Sequence, residues 1–420
     1  MNSAPADRLA SAVFFIYALF VFSSSFSIAL AQISLGVALL LFLVLIIRDR
    51  YQPFVQSLKW FYLAATAYVL WLVLASVAGP TPAESISSIR EEWLFLAIPI
   101  GVWAFSKQRY RDRLITVLAV AVLILSVYGL VQYLTGANWF RSAPLSVIKT
   151  FGYRVQGNFS TRLTFAGYFG TAALFLGGYA AFPGDGVSAR RRSLLLIISA
   201  LAVLAVILTF SRGVILACAV APVLLGLMLG RKYRLPVLAA IVALFLVVVL
   251  VPGVSQRFAG GTANDLNPEY EGSRLFIWNH TLDIIGEHPV LGVGPGNFAR
   301  EYQSRLRPDI PSYRRLTHAH NDPLNVAAKA GIPGAIIFEL MWLAALILFW
   351  RGYCDNTRPE ADRRICLAAL MGSVVFWMAS LIEAAFADEE VRQLLMIIWA
   401  AGVSVWYKEK RAPAKDSASQ

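Results

Sequence analysis

Ser27 to Ile47 reads SIALAQISLGVALLLFLVLII, a run of 21 residues without one charged side chain. Wound as a helix at about 1.5 Å per residue, it crosses the roughly 30 Å hydrocarbon core of a bilayer. Strands of a membrane barrel would alternate apolar and polar residues instead. The same pattern extends outward from this run. Apolar stretches at 9–22, 57–78, 92–106, 114–134, 163–182, 193–210, 213–229, 235–251, 328–350, 364–386 and 391–407 bring the predicted spans to twelve. Composition agrees: 58% of residues are hydrophobic and only 15% are charged, against about 25% charged in soluble domains. The first run lacks a small-residue cleavage site and a second follows at once, so it reads as a span rather than a signal peptide. The expected fold class is an all-α polytopic membrane protein of about 12 transmembrane helices.

Lysines and arginines orient the spans. One side collects Arg8, Arg48, Arg50, Lys59, Lys107, Arg190 to Arg192, Arg231, Lys232, Arg351, Lys408 and their neighbours, 22 of the 37 basic residues. Eight more lie in the segment 252–329, too long for the charge rule, and seven remain for the other side. Both termini are therefore expected in the cytoplasm and the long segment outside. Spans one to nine occupy 1–251, an outer loop 252–327, spans ten to twelve 328–407, and a tail expected to be disordered 408–420. The formal charge of +12 is mostly this topological signal. Basic residues alternate between helices rather than cover one soluble face, which argues against a nucleic-acid binder. Cys218, Cys354 and Cys366 all fall outside the outer loop, so no disulfide staples it.

All four histidines, His280, His288, His318 and His320, fall within that outer segment. Imidazole is the side chain best matched to proton transfer near neutral pH. Three outward segments carry further chemistry. Between Gly136 and Arg162, Arg154 and Arg162 bracket GNFS beside a span and are placed to meet an anionic headgroup or phosphate. Thr209-Phe210-Ser211-Arg212-Gly213 is a tight turn between two apolar helices, with Gly213 giving the backbone room to bend. Its Arg212 offers planar, permanently charged donors to phosphate oxygens. From Gly272 to His288, Leu275, Trp278, Leu282 and Ile285 recur at helical spacing. That helix is expected to lie on the membrane surface, with Ser273 or Asn267 as cap and Arg274 in the first turn. The glycine-rich GVGPGNF from Gly292 is a weak phosphate-loop pattern.

The third motif is Thr317-His318-Ala319-His320-Asn321-Asp322-Pro323-Leu324. His-x-His can chelate zinc, but Asp322 and Glu301, the nearest acidic partners, stand at no recognised ligand spacing, so no metal is expected. A general base at the membrane face is the better reading. Either His318 or His320 fits, with His320 preferred because Asn321 follows directly and the helix start fixes its position. A transporter would carry ionisable groups at mid-membrane, and here the interiors of the spans are nearly free of them, with Glu339 and Glu383, the latter near an outer end, as the exceptions.

TFSRG at the tight turn, GSRLFIW on the loop helix, and HAHN-x-x-L followed by Gly331-Ile332-Pro333-Gly334 together resemble the O-antigen ligase family. That family is related to O-antigen polymerases and bacterial protein O-oligosaccharyltransferases, and a length near 420 favours the ligase. The resemblance implies a GT-C-like glycosyltransferase of the bacterial inner membrane with a periplasmic site. Such an enzyme uses no metal, cofactor or nucleotide, and it moves O-antigen from undecaprenyl pyrophosphate to a lipid A–core sugar hydroxyl with inversion. The family's two essential arginines match Arg212 and Arg274, and its essential histidine falls in HAHN. Arg154, Arg162 and Asn321 are the expected substrate contacts. The cations are also expected to lower the pKa of the histidine.

Overall fold

Continuously apolar sequence in a bilayer must satisfy its own backbone, and local helices do so segment by segment. The computed structural model of the chain describes residues 7–49, 51–52, 55–141, 144–148, 152–182, 184, 186–229, 238, 242, 267–306 and 316–407. Its helices, numbered among the described residues, are α1 (Arg8–Ser23), α2 (Ile28–Asp49), α3 (Lys59–Ala78), α4 (Pro82–Ile89), α5 (Ala97–Ser106), α6 (Gln108–Thr135) and α7 (Arg162–Ala181). They continue as α8 (Ala189–Ile207), α9 (Arg212–Leu229), α10 (Arg274–Glu287), α11 (Phe298–Ser304), α12 (Asp322–Cys354), α13 (Glu360–Ser380) and α14 (Glu389–Val403). Among the described residues the strands are one short antiparallel pair, Val147–Ile148 with Gly152–Tyr153.

Among the described residues, five helical segments are long and apolar enough to cross a membrane: Ile28–Asp49, Gln56–Ala78, Gln108–Thr135, Asp322–Cys354 and Glu360–Ser380. Helices coincide with eleven predicted spans, while 235–251 lies almost wholly outside the described residues and the tail 408–420 entirely so. The span predicted at 92–106 is shorter than expected as a helix. Arg90–Leu96 forms a 3-10 segment, in which Glu91 and Glu92 bind the buried Arg392, and α5 has only 10 residues. On α2, Leu40 is 67% and Ile47 79% exposed. Such apolar faces belong against lipid rather than water.

The core lies where α7 packs on α8 and α13, α12 on α3 and α13, and α14 on α5 and α13. Trp342, Trp399, Phe61, Phe376 and Tyr168 fill it, all nearly inaccessible. The two ends of the bundle are chemically distinct. At one end, Arg48 pairs with Asp7, Arg111 with Asp362 and Arg191 with Asp112, which brings together cations that the charge rule assigned to one side. At the other end, the turns are laced together. Asn158 donates to the Ser25 and Phe26 carbonyls, the Val155 N–H to Leu208 O, and Thr164 Oγ1 to Asp388.

One helix break ties the outer loop to the bundle. Within α12, Gly331 adopts φ +74°, ψ 173° and Pro333 follows two residues later. Gly331 has left the helical conformation and proline has no N–H, so carbonyls one turn earlier lose intrahelical donors. The loop supplies them: Val293 N–H donates to Ala328 O and Gly294 N–H to Lys329 O, both at 2.9 Å. Trp71 Nε1 donates to Ala330 O, and the Ile332 N–H to Pro289 O. Two amides of the glycine-rich segment, Val293 and Gly294, are thus committed to α12, and the Gly292 amide donates to His288 O.

A Cβ at position 331 would collide with the Val290 carbonyl, and the left-handed backbone disfavours any L side chain. Gly331→Ala is expected to destabilise the protein by roughly 1–3 kcal/mol, read as a lower thermal unfolding midpoint in detergent.

Candidate functional site

The HAHN segment starts α12, and its capping chemistry sets the backbone. Asn321 Oδ1 accepts the Leu324 N–H at 2.9 Å, and Asn321 Nδ2 donates to Leu381 O at 2.8 Å. Asp322, 1% exposed, accepts the Phe386 N–H at 2.8 Å. These contacts bolt the start of α12 to the turn between α13 and α14. The amide of Asn321, expected to touch substrate, makes a hydrogen bond inside the protein through both its oxygen and its nitrogen. His320 itself takes φ +51°, and Phe210 in the TFSRG turn takes φ +59°. Among the described residues these two alone, glycine aside, have positive φ. Backbone strain of this kind persists where surrounding contacts over-determine it, commonly at functional sites. The bend in TFSRG is made by Phe210, whereas Gly213 lets Ile382 pack closely: a Cβ there would lie 3.1 Å from Ile382 Cγ2.

Glu383 follows directly in that turn. The sequence counts it as an ionisable residue inside the span 364–386, but α13 ends at Ser380. Its Oε2 lies 3.0 Å from His320 Nδ1, and its Oε1 accepts from Arg274 at 2.5 Å. All three side chains are largely withdrawn from solvent, with exposures of 13% for His320, 14% for Glu383 and 21% for Arg274. Burial alone pushes the Glu383 carboxyl up, but the His320 hydrogen bond and the Arg274 charge outweigh it and hold it below the ordinary carboxylate value. An ionised carboxylate can only accept. The hydrogen at this contact therefore sits on His320 Nδ1.

His318 is set differently. The His320 backbone N–H donates to His318 Nδ1 at 3.3 Å, so His318 carries its hydrogen on Nε2. Burial first, then the nearby His320, Lys329 and Arg274, pushes His318 down to about 3. Desolvation leads that shift, and Lys329 and Arg274 add to it.

Both rings line a cavity of about 90 Å³ with Glu383, Asp388, Thr161 and Leu163. Burial, with help from Glu390 and Glu383, pushes Asp388 up to about 6 against the Thr164 hydrogen bond. Arg212 opens α9 beside this site, since its neighbour Gly213 packs on Ile382 and Val214 lines the cavity. Arg154 and Arg162 share a second cavity, of about 240 Å³, whose wall includes the same Thr161 and Leu163. Arg274 thus meets His320 through Glu383, while Arg154 and Arg162 line a neighbouring cavity that shares Thr161 and Leu163 with the His320 cavity.

Ser273 caps α10 by accepting the Phe276 N–H, as its sequence indicates. Of the predicted stripe, Ile285 is buried and Trp278 packs partly buried on the same cluster, but the buried face of α10 is otherwise Ile277, Thr281 and Ile284, because α10 packs on α12. Leu282 stays 52% exposed. Glu301, the distant acid considered for a metal at HAHN, gathers instead with Glu287 and His288, ligand atoms within 4.8 Å of one another. Arg305 binds both carboxylates there, at 2.7 and 2.6 Å. Glu383, Asp322 and Asp388 were missing from the sequence-level site, although Glu383 was visible as a lone carboxylate near the outer end of an apolar run.

Residues 197–339, about a third of the chain, match a family model, Wzy_C, described as O-antigen ligase. The match bears out the resemblance and contains TFSRG, GSRLFIW and HAHN, while Glu383, Arg154 and Arg162 lie outside it. No curated protein matches the chain.

Asp388 offers a test of this electrostatic setting. A carboxyl raised to about 6 keeps its proton in the folded state at pH values where the unfolded chain has lost it. Stability from this group is present below about pH 4 and is lost as pH rises through 6. Asp388→Asn should remove that fall: the variant gains thermal midpoint over wild type at pH 7 and matches it near pH 4.

Proposed function

We propose, starting from the O-antigen ligase family that residues 197–339 match, that this protein transfers O-antigen from undecaprenyl pyrophosphate to a lipid A–core sugar hydroxyl. The reaction takes place on the periplasmic face of the bacterial inner membrane, with both termini cytoplasmic and the spans arranged as the sequence implies. The observation that carries the mechanism is Glu383 accepting from His320 Nδ1 and from Arg274 at once.

A sugar hydroxyl is a poor nucleophile until a base takes its proton. His320 Nε2, with its lone pair directed away from Glu383, is that base. As the hydroxyl proton passes to Nε2, the hydroxyl oxygen attacks the anomeric carbon from the face opposite the pyrophosphate. The carbon–oxygen bond to the leaving group breaks and the configuration inverts. Glu383 stabilises the imidazolium that forms, as carboxylates do for catalytic histidines elsewhere. The departing pyrophosphate gathers negative charge, and Arg274 and Arg212 meet it with preorganised donors. One such donor contributes about 2.7–4 kcal/mol in comparable oxyanion sites. Arg274 spends one N–H on Glu383 and has others to direct at phosphate. The lipid pyrophosphate is already activated, so the proposal requires no nucleotide and no metal. An O-antigen polymerase or protein O-oligosaccharyltransferase would keep this machinery and change the acceptor.

The test is reconstitution in vesicles with undecaprenyl-linked glycan and lipid A–core, scored as a ladder on a gel. His320→Ala is expected to lose about 10²–10⁴-fold in rate, and His318→Ala to lose much less. Full activity in His320→Ala would remove the base from the mechanism. Glu383→Gln, which cannot hold an imidazolium, should approach the His320→Ala level while Arg274→Ala and Arg212→Ala abolish transfer. Transfer should persist in EDTA; loss there with rescue by Zn²⁺ or Mg²⁺ would restore a metal to the reaction.

A further inference from the structure

The cavity beside His320 has the dimensions of a few water molecules rather than of a ligand. Its volume of about 90 Å³ falls well below the roughly 300–1,000 Å³ of pockets that enclose a small molecule. At about 30 Å³ per molecule in the liquid, it has room for about three waters. The chamber is largely enclosed, yet its wall carries Thr161, His318, His320, Glu383 and Asp388. A cavity holds water when it offers space and about two to four polar partners. This one offers both.

The partners are complementary and fixed in place. His318 carries its hydrogen on Nε2 and is a donor, since the His320 N–H faces its Nδ1. Asp388 spends Oδ2 on the Thr164 hydroxyl at 2.9 Å, and a carboxyl has acceptor sites beyond that one bond. The Thr164 hydroxyl, having given its hydrogen to Asp388, accepts from Thr161 at 2.9 Å. Thr161 caps α7, while Asn321 and Asp322 fasten the turn that carries Glu383 and Asp388. Enzymes that shield an activated donor from hydrolysis exclude water from the reacting groups. Here a polar, water-sized chamber is built against the candidate base instead.

We infer that this chamber gives the protein a second activity: hydrolysis of the lipid-linked glycan when no acceptor sugar is bound. This rests on the ligase reading above and extends it from one nucleophile to two. A chamber water passes one proton to His320 as its oxygen attacks the anomeric carbon. The bond from that carbon to the pyrophosphate oxygen breaks, and its electron pair leaves with the pyrophosphate. The products are a free glycan with a hydroxyl at its anomeric carbon, undecaprenyl pyrophosphate, and the proton that His320 returns to solvent. The lipid product is the one that transfer also yields, so a donor without an acceptor is discharged rather than retained.

The experiment incubates the full chain in nanodiscs with undecaprenyl-linked glycan in water labelled with heavy oxygen, with and without lipid A–core. Without acceptor, free glycan and undecaprenyl pyrophosphate should appear in equal amounts, and lipid A–core should suppress the release. The pyrophosphate should stay unlabelled, because the bond that breaks is at carbon. His320→Ala should lower release by about 10²–10⁴-fold, in step with transfer. Gly167 of α7 lines the chamber, and a Cβ there would stand 3.5 Å from Val391 Cγ1, an ordinary contact. Gly167→Ala is therefore accommodated and takes space from the water, so release should fall about two- to tenfold relative to transfer. Transfer by the wild type without any release in the absence of acceptor overturns the inference and leaves the ligase reading standing. Label in a phosphate, or release that survives His320→Ala, overturns it as well, since the attack then lies elsewhere. An unchanged ratio in Gly167→Ala removes the chamber from the reaction. If the wild type gives neither transfer nor release, the ligase reading itself has failed.

Discussion

A single carboxylate, Glu383, holds the candidate site together. It accepts from His320 Nδ1 at 3.0 Å and from Arg274 at 2.5 Å while largely shielded from solvent. Removing one partner from a buried ion pair typically costs about 3–5 kcal/mol, because the remaining charge is stranded. The carboxylate therefore couples three pieces of chain: the α10 start, the α12 start and the α13–α14 turn. It also sets His320 apart from His318, whose Nδ1 faces the His320 backbone N–H rather than a carboxylate.

That carboxylate is held in place by less conspicuous chemistry. Asn321 and Asp322 fasten the same turn to the histidine segment. Arg392, 3% exposed, binds Glu91 and Glu92 and lies over the Phe386 ring at 5.3 Å, supporting the turn from behind. The helix break at Gly331 hands two α12 carbonyls to the loop amides, so the loop and helix form one hydrogen-bonded unit. Polar groups near a membrane surface rarely tolerate being left unmatched, and here the irregular backbone is matched by design of the sequence: glycine at 331, proline at 333, and glycines at 292 and 294 with positive φ.

The helices were legible because an apolar run long enough to cross lipid has few alternatives. The cap at Ser273 was legible for a local reason, a serine preceding a helical pattern. Asn321-Asp322-Pro323 carried an equally local start signal, yet the span was begun at 328, where hydropathy rises rather than where the backbone turns. Glu383 could not be placed from sequence, since its partners His320 and Arg274 are 63 and 109 positions away. Nor could the buried face of α10, because the choice between two neighbouring stripes belongs to the surface it meets. Phe210 shows the same limit from another direction: glycine at 213 invited the assignment of the bend, but a buried aromatic three residues earlier took the strained conformation.

The turn carrying Glu383 is short, spanning Leu381 to Asp388 between two helices of the bundle. Its hold on the histidine segment rests on a handful of hydrogen bonds, whereas the bundle rests on an extended aromatic and aliphatic interior. Heat or detergent can therefore separate the two. Local fraying of this connection would silence chemistry while helicity and compactness survive, so a preparation can look folded by circular dichroism and gel filtration and still be catalytically dead.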